Sequence, residues 1–254
     1  MSPALWVLLL ALFEALLKPK FGLSNPAFSL LYSWTPAALA YLFARREGVR
    51  FPVLGTPNRY WGLALLLPPA LAAFATLLSL PLGRWRGIEP LREALPNLAN
   101  LPDAAFYFLL FFYGLLLSST VGVLFTLGGE IFWRGYLWEK LRDRGLWPAS
   151  LEIGFYFGLW SLPSLLATAG LEGNLFNKLF FPFSVGVLLT PGLLWMRERG
   201  GAVFASALFL AGVHAWSFLP RTLVEGPEPL VGFYSLPGLA TLAIFNLLLR
   251  RWTQ

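Results

Sequence analysis

The chain has 254 residues, of which 57% are hydrophobic and 13% charged, and its mean hydropathy is +0.65. A soluble domain carries roughly 25% charged residues, so a water-soluble globule is excluded, and 11 Trp with 23 Phe suit a surface facing lipid and headgroups. The formal charge of +6 lies in short loops, without the clustered basic face that phosphate binding needs; nucleic acid is excluded as a partner, and the absence of cysteine removes disulfides, thiolate metal sites and cysteine nucleophiles.

A spanning helix needs about 20 mostly apolar residues. That ruler predicts an all-α membrane protein, a bundle of about eight transmembrane helices near residues 3–17, 27–44, 60–82, 104–127, 149–169, 176–196, 201–219 and 230–249. The first segment, SPALWVLLLALFEALL, has no basic start and no small-residue cleavage site, and it contains Glu14; it reads as a retained helix rather than a signal peptide. Between the third and fourth segments, Ile88, Leu91, Leu95 and Leu98 recur at helical intervals, which predicts a short amphipathic helix lying on the outer interface. Pro36, Pro68, Pro69, Pro163 and Pro191 fall inside spans, as membrane helices tolerate. There is no internal repeat, and one polytopic membrane domain, 1–254, accounts for the chain.

Loop charges set the orientation. Loops after the second, fourth and sixth helices, with the C-terminal tail, hold 12 of the 19 basic residues, Arg134 counted among them. The positive-inside rule then puts both termini on the cytoplasmic side of the cell membrane.

Inside a membrane the informative residue is the ionisable one, because its burial costs several kcal/mol unless it is paired or hydrated. Glu14, Glu130, Arg134, Glu152 and His214 qualify. Glu14 has Lys18 one turn on, the spacing of a helix-end ion pair. Glu152 suits the start of a helix. Glu130 and Arg134 share one helix face, as expected of a salt bridge at the helix mouth. His214 is the only histidine; a lone histidine in a helix is more often a hydrogen-bonded core residue than a ligand, and catalytic zinc normally wants three protein ligands. No metal or cofactor is implied.

These residues fall into a pattern. GEIFWRGYLWEKL resembles the first motif, Glu-Glu-x-x-x-Arg, of the CPBP family of intramembrane proteases, which includes the Ras-converting CAAX endopeptidase and the bacterial Abi proteins; Glu130 and Arg134 fill its second Glu and its Arg. FGLWSLPSLL, from Phe157 to Leu166, is similar to the second motif, Phe-x-x-x-His. GGAVFASALFLAGVHAW, from Gly200 to Trp216, is similar to the region of the third, His-x-x-x-Asn. The resembling core spans about residues 104–217.

The resemblance implies that the first Glu and the second-motif His activate water, and that the third-region His and Asn hold the oxyanion. Here those four positions carry Gly129, Ser161, Leu210 and His214, while Glu130, Arg134, Gly135, Phe157 and Pro163 keep the surrounding pattern. Hydrolysis of a peptide needs a base and placed donors. Glycine accepts no proton, leucine donates none, and losing one oxyanion donor alone costs about 10²–10³ in rate.

The expectation is therefore a pseudoprotease that holds a hydrophobic or lipidated peptide, or a membrane lipid, in the ancestral cavity, with Gly129, Arg134, Phe157, Ser161 and Leu210 lining it. Two alternatives stand beside it. One is an intramembrane hydrolase in which Glu130 and His214 form a rearranged catalytic pair. The other is a transporter, disfavoured by the lack of inverted repeats.

Overall fold

The computed structural model describes residues 3–21, 26–169 and 174–253. Ten helices follow one another among them: α1 Pro3–Phe21, α2 Pro26–Glu47, α3 Arg59–Ser79, α4 Glu89–Ala94, α5 Asp103–Arg144, α6 Leu146–Ala169, α7 Leu175–Gly200, α8 Val203–Trp216, α9 Leu219–Leu223 and α10 Leu236–Thr253. The protein is an all-α membrane protein, and a helix falls in each of the eight predicted segments, the last starting at Leu236 rather than near residue 230. Five stretches are long and apolar enough to cross a membrane by length and composition: Ala27–Glu47, Arg59–Leu82, Asp103–Arg144, Leu175–Gly200 and Val203–Leu223. Helices α1, α6 and α10 pack against them. The Glu14–Lys18 pair falls outside the described side chains.

Burial separates the core from the lipid-facing shell. The apolar windows of α7 and α8 are 61% and 67% buried, against 17% for α5 and 22% for α2, so α7 and α8 form the centre. Large side chains such as Leu31, Phe108, Leu116 and Leu124 are exposed, which in this chain is lipid contact rather than a solubility defect. Side-chain hydrogen bonds fasten the shell to the core where no water competes: Thr126 Oγ1 donates to the Ala207 carbonyl at 3.0 Å, and Trp34 Nε1 donates to the Leu124 carbonyl at 2.8 Å.

Two expectations change. Helix α5 does not stop near residue 127 but runs on through the charged segment to Arg144, until Gly145, at φ 84°, ends it. The hydropathy falls there because this half is covered by protein, not because the helix is over. Arg134 is accordingly no loop charge; it is fully buried inside the helix and drops out of the orientation tally. The helix also widens twice into i→i+5 bonding, over Ser118–Gly122 and Ile131–Tyr136.

The second change concerns α4. Leu91 is buried against Phe106 and Leu110 of α5, with Ile88, Leu95 and Leu98 packed around them. The apolar face therefore serves the protein's own core instead of the bilayer surface. Arg92 locks the connection, donating to the carbonyls of Ala99 and Leu101 and to Asp103 at 2.6 Å. Nearby, β1 (Arg84–Trp85) and β2 (Val224–Glu225) form a minimal antiparallel pair with Arg84 opposite Glu225.

At the other end of the bundle, the ends of α2, α5 and α7 meet in a polar cluster. Glu47 accepts from Tyr136 at 2.9 Å and pairs with Lys140 at 3.0 Å. Glu139 holds both Arg142 and Arg197 at 2.9 Å. The ends of these three helices thus share one side of the fold.

Candidate functional site

The first-motif helix enters the site through two glycines with different duties. A Cβ on Gly128 would stand 2.3 Å from the Ser33 carbonyl oxygen, so glycine is what lets α2 and α5 touch. A Cβ on Gly129 would meet Trp160 at 3.6 Å and Trp133 at 3.8 Å, which is ordinary contact. The position at which the resemblance implies a base therefore faces Trp160 and has room for a side chain.

Glu130 follows, immediately before the widened turn that contains Arg134. Wide turns of this kind occur often at functional sites. Arg134 Nη1 donates to Glu130 Oε1 at 2.7 Å, and both side chains are fully buried. Arg134 Nη2 donates to Thr190 Oγ1 at 2.8 Å, and that hydroxyl in turn donates to the Gly186 carbonyl at 2.8 Å. The guanidinium lies 4.3 Å from the centre of the Phe157 ring. One arginine so ties α5, α6 and α7 together through a carboxylate, an aromatic face and a hydroxyl. Glu130 Oε2, Arg134 Nε and Trp133 Nε1 have no hydrogen-bond partner among the described residues. The Ser206 hydroxyl sits beside Glu130 but donates to the Val203 carbonyl at 2.8 Å.

Beyond this cluster lies a cavity of about 1180 Å³. Its wall contains Phe157 and Ser161 from the second motif and Leu210 and His214 from the third region. Gly129, Glu130 and Arg134 are not part of that wall. The α7 face that lines it runs from Asn177 to Leu189, and Thr190, the next residue, is the one bonded to Arg134. The Glu130–Arg134 pair therefore sits just past the inner end of the cavity. The structure does not join Glu130 and His214 across one space.

The chemistry available at the wall is limited. Ser161 donates its hydroxyl to the Gly158 carbonyl at 2.7 Å. Trp160 stacks on Tyr32, ring centres 5.1 Å apart, and Tyr32 donates to the Trp160 carbonyl at 2.9 Å. His214 is exposed to the cavity, and its imidazole makes no hydrogen bond among the described residues. Towards the rim stands Tyr234, 40% exposed. Glu152 pairs with Arg144 at 2.5 Å and lies elsewhere.

Thr190 and Tyr32 were not visible as site residues in the sequence. A hydroxyl in an apolar helix most often satisfies its own i−4 carbonyl, and nothing local to Thr190 marks it as an arginine's partner as well.

Residues 107–209 match the family model described as type II CAAX prenyl endopeptidase Rce1-like. No curated protein matches the chain. The matched stretch begins in α5, passes through the arginine cluster and the α6 and α7 walls of the cavity, and ends in α8 at residue 209; over that part, this chain is similar to the Rce1-like CAAX-protease-type membrane proteins.

Proposed function

We infer that the protein is a non-proteolytic member of its family, a pseudoprotease of the cell membrane with both termini cytoplasmic, whose cavity holds a hydrophobic or lipidated peptide or a lipid. The observation that carries this reading is the separation of the carboxylate from the cavity. Glu130 is locked on Arg134 beyond the inner end, while the wall itself offers Phe157, Trp160, a committed Ser161 and Leu210 where hydrolysis would need a base and oxyanion donors.

The test is a cleavage assay with purified protein in nanodiscs, using prenylated and transmembrane peptides. No turnover is expected. Cleavage that disappears in His214→Ala would overturn the reading.

A hydrolase using Glu130 and His214 is the second reading, favoured by the unpartnered imidazole facing the cavity. It requires Glu130 to leave Arg134, and so predicts a rate that depends on an essential base near neutral pH.

A further inference from the structure

The cavity passes from a charged rim to an apolar shaft, and the order of these surfaces identifies an occupant. Along α7 the wall residues Asn177, Phe181, Val185 and Leu189 recur at one-turn intervals. At 1.5 Å per residue that run is about 18 Å long. Half of the hydrocarbon core of a bilayer is about 15 Å, so the shaft has the depth of one leaflet. On the facing side, Leu210, His214, Phe218 and Arg221 follow the same axis from inside to rim.

The rim is of mixed sign, with Lys178 of α7 beside Asn177 as one of its three cations. Arg86 and Glu93 reach it from the connection between α3 and α5, and Arg221 and Glu228 from α9 and the segment after it. All four are exposed. Arg221 and Glu228 are 3.8 Å apart, a loose pair. Arg86 and Glu93 form no ion pair among the described residues. Deeper in, His214 offers an N–H roughly 10 Å along the helix axis from Arg221, an interval that the long arginine side chain partly spans.

Resting on the cavity-binding reading above, we propose that the occupant is a zwitterionic phospholipid with a primary ammonium head. Its phosphate meets Arg86 and Arg221, its ammonium meets Glu93 and Glu228, and an ester carbonyl accepts from His214. Its acyl chains fill the shaft against Phe157, Trp160, Phe181, Val185, Leu189 and Leu210. A purely anionic head brings no cation of its own to Glu93 and Glu228. An extended peptide threaded into the shaft would leave its backbone groups without partners against that apolar wall, at several kcal/mol each by general transfer energies, whereas an acyl chain has none to satisfy. The volume of about 1180 Å³ also exceeds the roughly 300–1,000 Å³ of ordinary small-molecule pockets.

The experiment reconstitutes the full chain in nanodiscs of equal phosphatidylethanolamine, phosphatidylglycerol and phosphatidylcholine, extracts it in mild detergent, and measures retained lipid by native mass spectrometry. Phosphatidylethanolamine is expected to be retained over the other two. Glu93→Gln, at the exposed rim, should lower that preference by about fivefold, the upper range for an exposed ion pair, whereas Arg86→Gln, which meets the phosphate common to all three lipids, should lower the retention of each without changing their order. Ser161→Trp, which projects into the shaft, should reduce retention of every lipid; melting curves confirm that each variant is folded. Equal retention of phosphatidylglycerol, an unchanged preference in Glu93→Gln, or full retention in Ser161→Trp would each overturn the proposal. If a prenylated peptide is retained and lipid is not, the cavity-binding reading stands and this one falls; if a folded protein retains neither, both fall.

Discussion

The Arg134 guanidinium lies 4.3 Å from the centre of the Phe157 ring, so a residue of the first motif and one of the second form one physical contact. The same arginine is bonded to Glu130 and Thr190, with no solvent exposure. These residues hold three helices together at the inner end of the cavity. That role in assembly accounts for these residues without assigning them any part in hydrolysis.

Removing one member of a buried ion pair leaves an uncompensated charge and costs about 3–5 kcal/mol. Arg134→Met should therefore lower the melting temperature sharply or prevent a monodisperse preparation in detergent. Glu130→Gln with Arg134→Met, made together, should recover most of the loss. Equal damage in the single and double variants would show that packing on Phe157, rather than charge, dominates.

The adjacent glycines should respond in opposite directions. Gly128→Ala drives a methyl against the Ser33 backbone, an overpacking that costs about 1–3 kcal/mol. Gly129→Ala meets only ordinary contacts, and alanine favours the helix by about 1 kcal/mol, so its melting temperature should hold or rise. Thermal unfolding of both variants in one detergent checks the contrast.

The same space at Gly129 allows the family's catalytic pattern to be installed. Gly129→Glu, Ser161→His, Leu210→His and His214→Asn, combined, should restore measurable cleavage of a prenylated peptide. Each three-change combination should remain inactive, since base and oxyanion donors act together. A folded but inactive quadruple variant would mean that the scaffold has drifted as well as the catalytic groups.

At the opposite end of the bundle, Glu139 bridges Arg142, whose side chain is 52% exposed, and Arg197, which is 6% exposed. Glu139→Gln should cost about 1–3 kcal/mol because it leaves a buried guanidinium poorly paired. Arg142→Gln should cost under about 1 kcal/mol, as an exposed pair does. Denaturation midpoints would separate the two.

Much of this could be read from residue order alone. The eight apolar segments mark their helices, and the motif spacing carries Phe157, Ser161, Leu210 and His214 to one cavity. The second half of α5 could not be read, because hydropathy treats Gly128, Gly129, Glu130 and Arg134 as a break. In the fold those charges satisfy each other under cover of α6, α7 and α8, so the helix continues. The rim was equally hidden. Arg86, Glu93 and Glu228 look like ordinary loop charges until the connection and the segment after α9 bring them around one opening, and the apolar face of α4 looked like a membrane-surface helix until Phe106 and Leu110 were seen to cover it.

The length of α5 has a consequence for how the protein is made. Its 42 residues extend for about 60 Å, roughly twice the hydrocarbon thickness of about 30 Å. The first half, with Phe108, Phe112 and Leu116 outward, can enter the bilayer on its own. The second half has no finished seat until Phe157 and Thr190 have been synthesised and inserted. Arg134 thus waits through the translation of α6 and most of α7 with only Glu130 beside it, and the closing of that three-helix joint marks the moment at which the cavity acquires an inner end.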